Sequence, residues 1–115
     1  MIRFTSAILL AALAASPARA ADGAQLFATQ CKLCHQAASS PLGPTLAGVA
    51  GRNIGGRTDF NYSPALKAKG GSWTAQNMDA WLKAPTAFAP GTKMITNVPS
   101  AESRAAIIGY LKTLK

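Results

Sequence analysis

The stretch QCKLCHQA, Gln30 to Ala37, holds both cysteines and the sole histidine of the 115-residue chain. Two thiols and one imidazole this close suit three chemistries: a metal site, thiol–disulfide exchange, or covalent anchoring of a cofactor. Structural zinc needs four protein ligands, and the chain has no further Cys or His to supply the fourth. A thioredoxin-like Cys-x-x-Cys expects a βαβ setting. The choice therefore turns on what surrounds the motif.

Upstream, residues 1–20 read as a cleavable signal peptide. Arg3 gives the positive start, Phe4 to Ala15 form an apolar run, and Ala18-Arg19-Ala20 is a small-x-small cleavage pattern. The apolar run is short of the roughly 20 residues a bilayer span needs, so a cleaved leader is expected rather than a permanent anchor. Residues 21–115 are then one small domain, exported to the periplasm. An exported chain with two cysteines ordinarily carries a disulfide, but Cys31 and Cys34 would close a loop too small to stabilise much. Of the twelve Lys and Arg, only Arg3 and Arg19 lie in the leader, so the domain keeps ten against four acids, a net +6. That balance suits acidic partners. Nucleic acid is excluded by export and by the single, scattered basic residues.

The periodicity predicts helices and no strand. One helix is expected from Asp22 as N-cap to Gln30, with Leu26 and Phe27 inward. A short turn is expected at Ser63–Lys69, with Pro64 at its first position and Gly70-Gly71 as its stop. A helix from Thr74 to about Ala84 puts Met78, Trp81 and Leu82 inside and ends at Pro85. The last runs from the Ser100 cap, with Ile107, Ile108, Leu111 and Leu114 as its apolar stripe. Long loops at Pro41–Asp59 and Pro85–Pro99 separate them. Helices this few and short bury too little among themselves, so a bulky group is expected at the centre.

Cys-x-x-Cys-His in that setting is the attachment signature of haem c. Cysteines three apart on a helical turn reach two neighbouring vinyl groups, and His35 projects toward the iron as axial ligand. With one histidine, bis-histidine ligation within the chain is excluded. Once Met1 leaves with the leader, Met78 and Met94 remain; Met78 has the spacing of core filler, whereas Met94 stands in a Pro/Gly loop, APGTKM. Met94 is the expected second axial ligand.

The chain resembles class I cytochromes c of the mitochondrial and photosynthetic-bacterial kind over nearly all of 22–115. The resemblance rests on CKLCH (31–35), GPTLAG (43–48), Gly51-Arg52, FNYSPALKAKGGSW (60–73), WLKAP (81–85), PGTKM (90–94) and Tyr110-Leu111-Lys112. It implies an all-α fold of three to four short helices and long loops around one covalent haem, with the terminal helices packed together. Gly23 and Phe27 would form that crossing with Ile107, Tyr110 and Leu111. It further implies that the Pro44 carbonyl orients His35, and that Arg52, Tyr62, Trp73 and Thr92 form the propionate environment. Three positions depart from the family pattern: Trp81 near the Met94 sulfur where a tyrosine is usual, Leu66 for an asparagine, and Thr96 for an aromatic. Each bears on the potential and on the strength of the methionine bond.

The implied function is one-electron carriage by a monomer, not catalysis, between redox partners with acidic docking surfaces. An oxidase, a cytochrome bc complex, a reaction centre or a dehydrogenase are the candidate partners, met by Lys32, Lys67, Lys83 and Lys93. A dedicated subunit of one periplasmic dehydrogenase is the first alternative. A peroxidase or gas-binding protein using a labile Met94 is the second, and it lacks a distal acid–base group.

Overall fold

The computed structural model describes residues 20–115; the leader expected over 1–20 lies outside them save for Ala20. Five helices follow in order: α1 Ala20–Gln30, α2 Pro64–Lys67, α3 Ala75–Lys83, α4 Pro85–Phe88 and α5 Ala101–Leu111. Among the described residues there are no strands, only the isolated bridges Ser40–Gly43 and Asn53–Ser72.

Local chemistry explains most of the boundaries. Ser63, Thr74 and Ser100 each accept, on a side-chain oxygen, a backbone N–H three residues on, and so cap α2, α3 and α5. Asp22 is not the cap of α1: the two alanines before it continue the helix, and its carboxylate sits in the first turn, where the helix dipole still favours it. Pro85 ends α3 as expected but also opens α4, because a proline at the first helical position gives up an N–H that had no partner there. The loop expected over Pro85–Pro99 thus begins with a helical turn. At the other end α5 stops at Leu111, and the tail turns back so that Gly48 donates its N–H to the Leu114 carbonyl at 3.0 Å.

The frame of the molecule is the crossing of α1 over α5. A methyl group at Gly23 would lie 1.9 Å from the Ala106 carbonyl oxygen and 2.9 Å from Tyr110 Cβ, so only glycine permits the approach. Phe27 and Tyr110 meet beside it with ring centroids 5.2 Å apart. Ile107 is 1% exposed at the centre, and Ile108 and Leu111 are buried with it; side chains of this size each contribute about 1.5–3 kcal/mol through burial. α3 packs on α5 next to this crossing.

The long loop between α1 and α2 is held without a sheet. Gly51 donates to the Trp73 carbonyl at 2.9 Å, Trp73 donates to that of Arg52 at 2.8 Å, and Ile54 donates to that of Gly71 at 3.0 Å. These bonds fix Arg52 and Trp73 side by side. The loops thereby become walls.

Candidate haem-binding site

The chain leaves α1 without losing its helical hydrogen bonding. The Cys31 and Lys32 amides both donate to the Phe27 carbonyl at 2.9 Å, and His35 N–H donates to that of Cys31 at 3.0 Å. This turn sets Cys31 and His35 half-buried and Cys34 exposed, all three on the wall of one large cavity. The His35 ring is oriented from behind: its Nδ1 lies 2.9 Å from the Pro44 carbonyl oxygen, to which it donates, leaving the lone pair of unprotonated Nε2 free to ligate a metal. Gly43 makes room for this, since a methyl group there would lie 2.7 Å from the Cys34 carbonyl oxygen and 3.2 Å from the imidazole. Burial pushes the His35 pKa below its ordinary value, against the pull of the Pro44 carbonyl. The Cys31 thiol is pushed up, by burial first and by the charge of Cys34 second.

The remaining walls come from distant parts of the chain. Arg52, Tyr62, Trp73 and Thr92 line the same cavity, as do Trp81, Leu66, Thr96, the expected ligand Met94 and also Met78, read from the sequence as core filler. Met78 is 3% exposed on α3, whereas Met94 is only half-buried, on the segment after α4. An aromatic group stiffens one side: Trp73 stacks on Phe88 with centroids 5.7 Å apart, and Trp81 meets Trp73 at 5.7 Å and Phe88 edge-on at 5.8 Å. Apolar Phe27, Leu82, Ile107 and Leu111 form the floor, so the α1–α5 crossing and the cavity share a core.

The polar end of the cavity calls for an anion. Arg52 donates through its two terminal nitrogens to the Ala47 and Thr45 carbonyls at 3.1 and 3.2 Å. Its Nε is buried and meets no partner. A buried donor left unpaired is costly, and a propionate oxygen would satisfy it. Burial lowers the Arg52 pKa, with the Tyr62 phenol acting against the shift. Two thiols at haem c spacing, an oriented imidazole, a thioether, an apolar lining and this unpaired guanidinium nitrogen together fit a haem c.

The structure thus brings together every expected site residue. Two features are not legible in the sequence. Phe60 lines the cavity beside Tyr62, their rings 5.0 Å apart. Arg104 and Asp79 form an ion pair behind the cavity at 2.7 Å; as lone charges on two helices they carry no signal of contact across 25 residues. Lys32, Lys67, Lys83 and Lys93 are all exposed, but Lys93 is also tied down, donating to the Asn61 carbonyl at 2.7 Å.

A fold of short helices closed by two crossing terminal helices, around a cavity with a Cys-x-x-Cys-His turn on its wall, defines a c-type cytochrome. The sequence model of the cytochrome c family matches residues 20–115, and the chain belongs to that family, whose members carry electrons on one covalent haem c and are not enzymes. The chain is 40% identical to cytochrome c2 of Rhodomicrobium vannielii over 79% of its length and 75% of the relative's. With cytochrome c2 of Rhodopila globiformis it shares 39%, over 88% of this chain and 98% of the other. It is 42% identical to the cytochrome c-type cyt cy of Rhodobacter capsulatus over 80% of this chain, yet spans only 47% of that relative. Among solved structures, cytochrome cH from Methylobacterium extorquens superposes with a TM-score of 0.76 at 39% identity, covering 83% of this chain and 98% of the other.

Proposed function

We propose that this chain is an exported one-electron carrier of the periplasm, its leader removed after Ala20, with Cys31 and Cys34 as thioether anchors and His35 and Met94 as axial ligands. A haem c held there would supply one reversibly exchanged electron. The protein's own residues do the rest. Pro44 keeps the His35 proton on Nδ1, and Arg52, Tyr62, Trp73 and Thr92 would receive the propionate end, with Arg52 offsetting its charge.

The observation that carries the reading is the composition of the cavity wall. Among the described residues lining it the one histidine is the residue assigned to the iron and there is no carboxylate, so the wall lacks the distal histidine or acid that most often serves peroxide cleavage. Docking is read from the surface near the mouth. Leu33, Leu42 and Ile95 are 80%, 64% and 80% exposed, and with Lys32, Lys67, Lys83 and Lys93 they suit weak, wet contact with acidic redox proteins such as an oxidase, a cytochrome bc complex, a reaction centre or a dehydrogenase. Among the described residues no helix is long and apolar enough to cross a membrane.

Two measurements test this. The reduced protein at neutral pH is expected to ignore carbon monoxide and to titrate with a single electron; carbon monoxide binding to the native protein contradicts the carrier reading. Electron-transfer rates with an acidic partner are expected to fall as ionic strength rises, and rates indifferent to salt contradict the lysine docking surface.

A further inference from the structure

We propose that Arg104 is the positioning residue for the segment that presents Met94, an inference that rests on Met94 being an axial ligand. Thr92 to Val98 hangs between two fixed ends. At its start Thr92 is buried and donates its amide to the Ala89 carbonyl at 3.1 Å. At its end Val98 is 4% exposed and donates to the Leu82 carbonyl at 2.8 Å. Between them, residues 93–97 make no backbone hydrogen bond among the described residues, and their one side-chain hydrogen bond runs from Lys93 to the Asn61 carbonyl.

Arg104 sets where the C-terminal end lies. Its side chain is 8% exposed, although it is charged. One terminal nitrogen, Nη1, donates to both the Val98 carbonyl at 3.0 Å and the Pro99 carbonyl at 2.8 Å. Its Nε donates to Asp79 Oδ1 at 2.7 Å. One guanidinium on α5 thus binds the root of the Met94 segment and braces itself on α3, while Val98 is bonded to the end of that same α3. A buried charge is tolerated only when its donors are matched, and a planar fork fixes direction as a lysine ammonium does not. Arg104 lines no part of the cavity. It acts on Met94 only by fixing the chain four residues downstream, so its loss frees the thioether locally before it unfolds the domain.

The test is an imidazole titration of the ferric, haem-loaded protein, in which imidazole competes with Met94. Wild type is compared with Arg104→Met, Arg104→Lys, Asp79→Asn and Ile108→Ala, each with its melting temperature. Ile108 is a control on the same helix: buried, and on no wall of the cavity. Arg104→Met is expected to bind imidazole about tenfold more tightly than wild type, because loosening the segment raises the population with Met94 displaced. Arg104→Lys and Asp79→Asn are expected between the two, and they carry the test if Arg104→Met does not accumulate. Ile108→Ala is expected to stay within about twofold of wild type, whatever its loss in melting temperature. Equal imidazole affinity across the Arg104 and Asp79 variants overturns the proposal, and so does an Ile108→Ala shift as large as theirs. A far-red methionine–iron band in wild type separates the two ideas. If it is present with a flat series, only the Arg104 role falls; if it is absent, the Met94 reading falls with it.

Discussion

The two sides of the cavity are built on opposite plans. On the cysteine side, His35 continues a helical turn, is bonded to Pro44 and has Gly43 packed against it with no space for a methyl group. On the methionine side, Met94 lies in a segment whose middle makes no backbone bonds, held at its ends by Thr92, Val98 and Arg104. The first is rigid through local structure; the second borrows rigidity from elements that pack elsewhere. In such a design the histidine stays and the methionine yields when the fold is stressed.

Glycine substitutions break or sharpen this contrast most strongly. Gly43→Ala is expected to destabilise the protein by about 1–3 kcal/mol, because the new methyl group must push the Cys34 carbonyl and the imidazole apart. Gly91, at φ +84°, faces open space: a methyl group there would meet no atom within 4 Å. Gly91→Ala therefore meets only backbone strain, about 1 kcal/mol. Denaturant melts of the two haem-loaded variants check the order. A larger loss at Gly91 would mean that the methionine side is the tighter of the two.

A smaller effect is expected at Lys93→Met, which removes the bond to the Asn61 carbonyl. Global stability should change by no more than about 1 kcal/mol, since the site is exposed. Exchange of the Thr92 and Val98 amides, which close the Met94 segment, should nonetheless quicken while that of the His35 amide stays unchanged. Exchange that quickens on both sides would show the two to be one mechanical unit.

The smallest effect concerns the loop that receives Lys93. The Arg57 guanidinium holds the Asp59 carboxyl at about 2, below its ordinary 3.8. A carboxylate depressed on folding stabilises the folded state above its unfolded pKa and loses that contribution as pH falls through the folded value. An acid titration of stability should thus show a slight loss from about 3.8 to about 2, and Asp59→Asn should flatten it. An unchanged acid limb would detach this ion pair from the fold.

The same contrast governs what can be read from the sequence. The cysteine side is legible because its chemistry lies in five contiguous residues at the end of a helix. Met94 is within reach because the chain offers few methionines and one of them has helical core spacing, which the 3% exposure of Met78 supports. The terminal crossing is legible through the family resemblance, which implies Gly23 and Phe27 against Ile107, Tyr110 and Leu111. What brings Arg104 to Val98 and Asp79 is not, because a lone arginine on a helix reads as a solvated charge until the packing is known. α4 escapes the sequence since Pro85 signals the stop of one helix and the start of the next with the same ring.

The central claim is that His35 and Met94 hold one haem c from these two unlike sides. Absorption spectra of the purified protein in both redox states test it most directly. Sharp low-spin c-type α and Soret bands are expected on reduction and a weak far-red band on oxidation, the latter lost in Met94→Ala while the haem stays attached through Cys31 and Cys34. A high-spin spectrum, or a far-red band that survives Met94→Ala, would contradict it.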